Sequence, residues 1–239
     1  MFPNQAESVS RLPLIDPQAV PVLGNDAHLP AVAAEQLTVD ALRQRFLQPP
    51  IWSPESPGDG RLLQARSPAL ASVLIPLVLR DDGPHLLLTR RTDHLRDHAG
   101  QISFPGGRVE ADDADAVATA LRETEEEIGL PRSFVEVIGT LPTYSTVTAF
   151  VVTPVVAFVR PGFALALDSF EVAEAFEVPL AFLMNPAHHQ RHEFEFDGVP
   201  RRFLSMPWDG LGADGQHRRY FIWGATAAML RNFYRFLIS

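Results

Sequence analysis

The segment 114–128 is the part of the sequence whose fold is most tightly constrained, because a helix there has both ends and both faces specified. Asp112 and Asp113 stand where a helix N-cap belongs. Gly129 and Pro131 stand where a helix ends. At about 100° per residue, one stripe of this helix is suited to packing on a core. That stripe consists of Val117, Leu121, Thr124 and Ile128.

A second stripe of the same helix, roughly 130° from the first, carries Glu123, Glu126 and Glu127. Carboxylates spaced three and four residues apart repel one another by roughly 0.2–0.5 kcal/mol per pair. A solvated acidic face is the simplest interpretation of this spacing. The alternative is a site for Mg²⁺ or Mn²⁺, since these hard cations prefer oxygen ligands and bind substrate phosphates.

The residues before this helix favour the metal site. Gly106 and Gly107 follow Phe104 and Pro105 and can bring bare backbone close to a ligand. Basic side chains cluster around these glycines although the whole chain is acidic; they are Arg90, Arg91, His94, Arg96, His98 and Arg108. Arginine binds phosphate oxygens in a bidentate manner. A metal on one side and arginines on the other suit a diphosphate substrate.

The composition excludes several other chemistries. The 239 residues include no cysteine, which removes disulfides, thiolate metal sites and thiol nucleophiles. All 20 basic residues are arginine, so Schiff-base catalysis and phosphate-binding P-loops, which need lysine, are excluded as well. The net charge of −9 makes general binding of nucleic acid or of an anionic membrane unfavourable.

The sequence also lacks the patterns of a membrane-spanning or secreted protein. The longest apolar runs, residues 69–79 and 149–159, each contain a proline and are shorter than the roughly 20 residues that a span needs. The N-terminus lacks a basic start followed by an apolar stretch, which is the pattern of a signal peptide. We therefore expect a cytoplasmic protein with a small-molecule partner.

The chain is expected to divide near residue 66. Residues 1–66 are rich in proline and small residues, and predict an N-terminal extension with one short helix over 39–47. Residues 67–239 predict one domain with a mixed sheet and helices packed on it. Its predicted strands are 71–80, 85–90, 102–104, 135–141 and 149–159. Its other predicted elements are a short helix over 168–176, a hairpin turning at Asp197 and Gly198, and a helix over 225–237.

Two further patterns have the spacing of known sites but are interpreted as loops. Residues 210–215 fit the spacing of a dinucleotide-binding glycine loop, yet no strand–turn–helix unit surrounds them. His188, His189 and His192 have the spacing of metal ligands. They follow Asn185 and Pro186 in a polar stretch, which predicts a surface loop.

Residues 107–130 resemble the Nudix box, whose pattern is G-x5-E-x7-R-E-U-x-E-E-x-G-U with U an apolar residue. Gly107 matches the opening glycine. The core of the pattern is matched by Arg122, Glu123, Glu126, Glu127, Gly129 and Leu130. Asp113 stands in place of the first glutamate, with one extra residue before Arg122, and Thr124 stands at the apolar position.

These departures are typical of one subgroup, the coenzyme A diphosphatases, which carries the upstream signature L-L-T-x-R-S-x3-R-x3-G-x3-F-P-G-G. Residues 87–107 fit this signature at every fixed position except Thr92, which replaces serine and keeps a hydroxyl. The resemblance covers about residues 70–182. It implies an α/β/α sandwich around a mixed β-sheet. It also implies hydrolysis of the diphosphate bond of coenzyme A or acyl-CoA, with Mg²⁺ or Mn²⁺ as the cofactor.

The resemblance further implies roles for individual residues. The expected metal ligands and catalytic carboxylates are Glu123, Glu126 and Glu127. Arg122 is expected to orient a box carboxylate, and its own partner would be Asp113 or Glu110. The expected substrate contacts are Arg91, Arg96, His98, Gly106 and Gly107. Glu171 or Glu174, both on the predicted helix over 168–176, would supply a further ligand or the general base, and we favour Glu174 as catalytic.

The motifs leave two alternatives open. The box is common to Nudix hydrolases that cleave ADP-ribose, NADH or dinucleotides, and only the upstream signature separates these from coenzyme A diphosphatases. The second alternative is a non-catalytic Nudix-like module that binds a nucleotide, which would be expected to lack the box glutamates. The motifs are compatible with a homodimer but do not encode one.

Overall fold

The computed structural model describes residues 15–59, 67–94, 100–196, 198–212 and 214–239. Within these residues the chain forms a mixed sheet of eight strands, an antiparallel sheet of four strands, and α-helices on both sides of the larger sheet. The strands are β1 (Val22–Asn25), β2 (Ala69–Arg80), β3 (Gly83–Arg91), β4 (Ile102–Ser103), β5 (Gly106–Arg108), β6 (Val135–Thr140), β7 (Tyr144–Ser145), β8 (Phe150–Val159), β9 (Val172–Pro179), β10 (Gln190–Phe196), β11 (Val199–Leu211) and β12 (His217–Trp223). The helices are α1 (Val39–Leu47), α2 (Ala116–Ile128), α3 (Leu180–Leu183) and α4 (Gly224–Ile238).

Strand β2 is the centre of the larger sheet. It pairs in parallel with β8 and antiparallel with β3, in the order β4–β3–β2–β8–β6. Helix α2 packs on one face, where Leu74 and Val155 meet Ala120. Helices α1 and α4 cover the other face together with the smaller sheet, whose order is β1–β10–β11–β12. The mixed sheet with helices on both faces confirms the predicted fold, whereas only the hairpin of the smaller sheet was predicted.

Helix α2 confirms the helix predicted over residues 114–128. Thr124 and Ile128 are buried, as the apolar stripe predicts. Gly129 ends the helix with a φ of +67°, a left-handed conformation that glycine adopts readily. The N-cap prediction was wrong: the cap is Asp115, which accepts a hydrogen bond from the Ala118 N–H at 2.8 Å. The predicted candidate Asp113 is bound by an arginine instead.

Most of the other predicted elements are confirmed. The five predicted strands correspond to β2, β3, β4, β6 and β8, and the C-terminal helix is α4. The predicted hairpin is also present, because Phe196 pairs with Val199, although Asp197 lies outside the described residues. Residues 210–215 form the end of β11 and the turn towards β12, apart from Ala213, which the structure does not describe.

The helix predicted over 168–176 was wrong. The segment is a turn followed by β9, which pairs antiparallel with β3. Side chains along β9 alternate between buried and more exposed positions, as expected of a strand with two different faces. The spacing of Glu171 and Glu174 fits a helix locally. Pairing with β3, which is distant in sequence, decides the structure instead.

The surface loop predicted for residues 188–192 was also wrong. His189 and His192 are buried. The two ring nitrogens of His192 are hydrogen-bonded to the Val20 carbonyl oxygen and to the Ser205 hydroxyl. His189 Nε2 lies 2.7 Å from the carbonyl oxygen of Leu183, so this nitrogen carries the proton. Its Nδ1 accepts a hydrogen bond from Arg231 at 3.0 Å. These histidines stabilise the fold and are not available as metal ligands.

The described part of the N-terminal segment shares the main core. Strand β1 pairs with β10, and Leu42 of α1 packs in the same apolar cluster as α4. The buried Arg231 of α4 forms ion pairs with Asp26 and Glu55 at 3.2 and 2.8 Å. One core therefore includes residues from both sides of residue 66. The domain boundary predicted at this residue stays a prediction. Among the described helices, none is long and apolar enough to cross a membrane.

The burial of His189 predicts a pH dependence of stability. Burial lowers the pKa of His189 from 6.5 to about 4; the charge of Arg231 adds to this effect and the bond to Leu183 opposes it. Between these two pH values the unfolded chain binds more protons than the folded one. The contribution of His189 to the free energy of unfolding is therefore at its full value above pH 6.5, and it falls by about 3 kcal/mol as the pH approaches 4.

The variant His189→Gln tests this prediction. Glutamine keeps a donor near the Leu183 carbonyl but does not titrate in this range. In urea unfolding, we expect the variant to lose less stability than the wild type between pH 6.5 and pH 4. The same loss in both proteins would show that His189 does not control this dependence.

Candidate active site

Gly106 and Gly107 bring the backbone of β5 into contact with the glutamates of α2. The Gly106 N–H donates a hydrogen bond to Glu127 Oε2 at 3.0 Å. A Cβ on Gly107 would lie 2.5 Å from the carboxylate carbon of Glu123. A Cβ on Gly106 would lie 2.4 Å from the carbonyl oxygen of Ser72 in β2. A side chain at Gly106 would clash with the backbone of β2 and separate β5 from it, whereas a side chain at Gly107 would displace the Glu123 carboxylate.

Glu127 is the most buried of the three box glutamates, with 8% of its surface exposed. This burial raises the pKa of Glu127 to about 7, although the hydrogen bond from Gly106 opposes the rise. The charges of Glu171 and Glu123 raise it further, and Arg91 lowers it. Burial also raises the pKa of Glu123, against the lowering effect of Arg122. The carboxylates therefore concentrate negative charge where solvation is poor. Binding of a cation is favourable there.

Arg122 holds the box carboxylates in place from the side of the helix. Its Nε and Nη2 form a bidentate pair with Asp113, at 3.0 and 2.8 Å. Its Nη1 donates to Glu123 at 3.1 Å and to Glu126 at 3.0 Å. Arg122 in turn keeps the pKa of Asp113 well below its usual value. Of the two expected partners, Asp113 is the close one, while Glu110 lies 4.0 Å away.

Arg91 lies between two carboxylates at the end of β3. Its Nη1 is 3.8 Å from Glu127 Oε1 and 3.8 Å from Glu171 Oε2. Both distances are too long for hydrogen bonds. Its Nε is buried and has no hydrogen-bond partner among the described residues. Arg91 therefore keeps donors that an anionic ligand would satisfy.

Glu171 is the second of the two residues predicted as a further ligand or general base, and Glu174 was favoured over it. It lies just before β9, on the same face of the sheet as α2, and its charge acts on both Glu127 and Glu123. The incorrect prediction of a helix over 168–176 did not indicate this position. Val172 packs beside Ile128 of α2, although regular alternation would place it on the same face as Glu174. The register shift in the pairing of β9 with β3 therefore separates Glu171 from Glu174.

Glu174 lies on the other face of the sheet. Its neighbour on that face, Phe176, packs in the main core rather than under α2. Tyr220 donates to Glu174 Oε1 at 2.8 Å, and Arg218 donates to its Oε2 at 3.0 Å. Arg90 lies 3.7 Å from the same carboxylate. Glu174 thus connects β9 to the smaller sheet, and the structure does not bring it together with the box glutamates.

Two of the predicted substrate contacts cannot be placed. Arg96 and His98 lie in residues 95–99, outside the described part of the chain. The structure brings the other predicted contacts, Arg91, Gly106 and Gly107, to the box glutamates. The β3 end of the upstream signature and the box therefore meet at one place in the fold.

The donor set fits a hard divalent cation, although the side chains do not form a finished metal site. No group of three acidic or histidine side chains is arranged to hold a metal within the described residues. Arginines occupy the spaces between the carboxylates: Arg122 bridges Glu123 and Glu126, and Arg91 stands between Glu127 and Glu171. All four acids offer oxygen ligands, which Mg²⁺ and Mn²⁺ prefer. A bound cation would take over charge neutralisation that the arginines now provide.

Replacing Glu127 by glutamine should weaken binding of Mn²⁺ alone. Loss of groups that only support a ligand typically costs 10–100-fold in metal affinity, so we expect the dissociation constant to rise by at least about tenfold. Isothermal titration calorimetry without substrate measures this constant. Glu125→Gln is the matched control, because Glu125 lies on the same helix but pairs with the exposed Arg132 at 3.0 Å. Equal affinity in the two variants would contradict the assignment.

Comparisons with known proteins show which domain family this part of the chain resembles. The NUDIX domain model matches residues 68–196. The chain is 44% identical over 161 residues to an uncharacterized Nudix hydrolase, NudL, of Escherichia coli K12, covering 67% of this chain and 79% of that protein. It is 43% identical, with the same coverage, to NudL of Shigella boydii serotype 18.

Solved structures of similar proteins overlap less extensively. The crystal structure of the Nudix hydrolase RenU from M. smegmatis is 20% identical, with a TM-score of 0.41, and covers 48% of this chain and 73% of that one. The assignment therefore depends on the domain match and on the relatives in Escherichia and Shigella. On these grounds, the chain belongs to the Nudix hydrolase family, enzymes that cleave phosphorus anhydrides.

Proposed function

We propose that this protein hydrolyses the diphosphate bond of coenzyme A or acyl-CoA. The products would be adenosine 3′,5′-bisphosphate and 4′-phosphopantetheine or its acyl form. The observation that carries the proposal is the position of Arg91. This arginine belongs to the upstream signature of the coenzyme A diphosphatases, and it lies beside Glu127 of the box with its Nε unpaired among the described residues.

The box glutamates would hold Mg²⁺ or Mn²⁺. A divalent ion bound there supplies charge neutralisation for the diphosphate oxygens and lowers the pKa of a water molecule. Glu127 and Glu123 are fixed by their contacts with β5, and Arg122 orients Glu123 and Glu126 through its two hydrogen bonds. These carboxylates are therefore held near their working positions before substrate arrives.

Glu171 is our candidate for the further carboxylate, in place of Glu174. The Glu174 oxygens are engaged by Tyr220 and Arg218 on the opposite face of the sheet. Glu171 faces Glu127 across the Arg91 guanidinium and is less buried than Glu127. It can accept the proton of the attacking water or serve as an additional ligand, and a positioned general base contributes about 10²–10⁴ in rate.

Arg91 would bind the diphosphate through guanidinium N–H groups that have no hydrogen bond to the described residues. Its guanidinium is close enough to the carboxylates to be held in place, yet too far from them to be saturated. Arginine presents paired N–H groups that match two phosphate oxygens. Because the water attacks phosphorus directly, no covalent enzyme intermediate is required, which agrees with a chain that lacks cysteine and lysine.

A substrate panel tests the proposed function. We expect liquid chromatography to show adenosine 3′,5′-bisphosphate formed from coenzyme A or acetyl-CoA with Mg²⁺ or Mn²⁺. The value of kcat/KM should be clearly higher than for ADP-ribose, NADH or diadenosine polyphosphates. Preference for one of those nucleotides would overturn the coenzyme A assignment but leave the assignment of the box residues unchanged. Absence of turnover with every substrate and metal would favour the non-catalytic module.

Arg91→Gln should raise the KM for coenzyme A. A charge-assisted hydrogen bond contributes about 1.5–3 kcal/mol, which corresponds to roughly a tenfold to a hundredfold loss of kcat/KM. Arg90→Gln is the control, because Arg90 has the same charge one residue away but pairs with Glu174 on the opposite face. Equal losses in both variants would mean that the effect of Arg91 is only long-range charge.

A further inference from the structure

Thr92 connects the end of β3 to the turn that carries Glu171, residues 168–171. Its hydroxyl donates to the carbonyl oxygen of Phe170 at 2.8 Å, and its N–H donates to the carbonyl oxygen of Glu171 at 3.0 Å. The residue is buried, with 7% of its surface exposed. We infer that Thr92 is a positioning residue that holds Glu171 beside Glu127, an inference that rests on the proposed function for its catalytic consequence.

The same turn is attached to the box helix on its other side. The Asp168 N–H donates to the carbonyl oxygen of Glu127 at 2.9 Å. Within the turn, the Asp168 carboxylate accepts from the Phe170 N–H at 2.9 Å, and the Asp168 carbonyl accepts from the Glu171 N–H at 3.0 Å. The turn is therefore held between Glu127 of the helix and Thr92, the residue that follows β3. Loss of either attachment frees Glu171 relative to Glu127.

The backbone alone cannot make the Thr92 contact. The pairing of β3 with β9 is irregular at its end, where Arg90 is opposite Glu174 and Arg91 is opposite Val172. The N–H of Thr92 is already used by the Glu171 carbonyl. Only a side-chain donor at this position reaches one residue further, to the Phe170 carbonyl. A hydroxyl on a short side chain provides that donor.

This arrangement accounts for the one position at which the chain departs from the upstream signature. The signature has serine there, and threonine retains the hydroxyl that the Phe170 carbonyl needs. The preceding residue, Arg91, lies 3.8 Å from both Glu127 and Glu171. Two consecutive signature residues thus act on Glu171. Arg91 acts through its charge, and Thr92 acts by holding the turn.

Thr92→Val and Thr92→Ser separate the hydroxyl from the shape of the side chain. Valine has nearly the same volume but no donor, whereas serine keeps the donor. A displacement of about 1 Å at a reacting group can cost 10²-fold in rate. We expect Thr92→Val to lower kcat for coenzyme A by about tenfold or more with little change in KM, and Thr92→Ser to stay within about twofold of wild type.

Thr226→Val is the matched control. Thr226 is also 7% exposed, and its hydroxyl also donates to a backbone carbonyl, that of Ile102, at 3.0 Å. It lies on α4, away from the box. A general loss of packing or stability would lower kcat equally in both valine variants, whereas the inference predicts a loss only for Thr92.

A double-mutant cycle with Glu171→Gln tests whether Thr92 acts through Glu171. If it does, Thr92→Val lowers kcat in the wild-type background but adds no further loss in the Glu171→Gln background. Hydrogen exchange of the metal-free protein gives a readout that needs no activity. The amides of residues 168–172 should exchange faster in Thr92→Val than in wild type, and at the wild-type rate in Thr226→Val.

The outcomes are distinct. Wild-type exchange at residues 168–172 in Thr92→Val, or independent and additive losses of kcat in the cycle, would overturn the positioning role. If the wild-type protein itself does not cleave coenzyme A, the proposed function fails. The exchange measurement still decides in that case whether Thr92 holds the turn.

Discussion

The contact between the buried Glu127 carboxylate and the Gly106 N–H is the interaction on which the rest of the site depends. It joins the box helix to β5, and through β5 to the central strand β2. It also places a carboxylate where ionisation is unfavourable unless positive charge is near. The neighbouring positive charges, Arg91 and Arg122, are the cations that the site offers before any metal binds.

The local part of the site could be predicted from the sequence. The faces and the C-terminal end of α2 follow from spacing and from Gly129, which act within a few turns of helix. The requirement for glycine at Gly106 and Gly107 was predicted as close approach of the backbone to a ligand. The structure shows a related cause, because both glycines lie against side chains or strands that a Cβ would displace.

The parts that failed depend on partners distant in sequence. The 168–176 segment becomes a turn and a strand because β3 is available to pair with it, which separates Glu171 from Glu174. His189 is buried in the core, where Arg231, 42 residues later, donates to its Nδ1. Spacing within a single segment carries no information about such long-range contacts.

We propose that water, activated at the box carboxylates, cleaves the diphosphate of coenzyme A. The most direct measurement is mass spectrometry of the products formed in ¹⁸O-labelled water with Mn²⁺ present. We expect adenosine 3′,5′-bisphosphate and 4′-phosphopantetheine, with a single ¹⁸O atom incorporated into the phosphate of one of the two. Intact coenzyme A, or products without label, would contradict it.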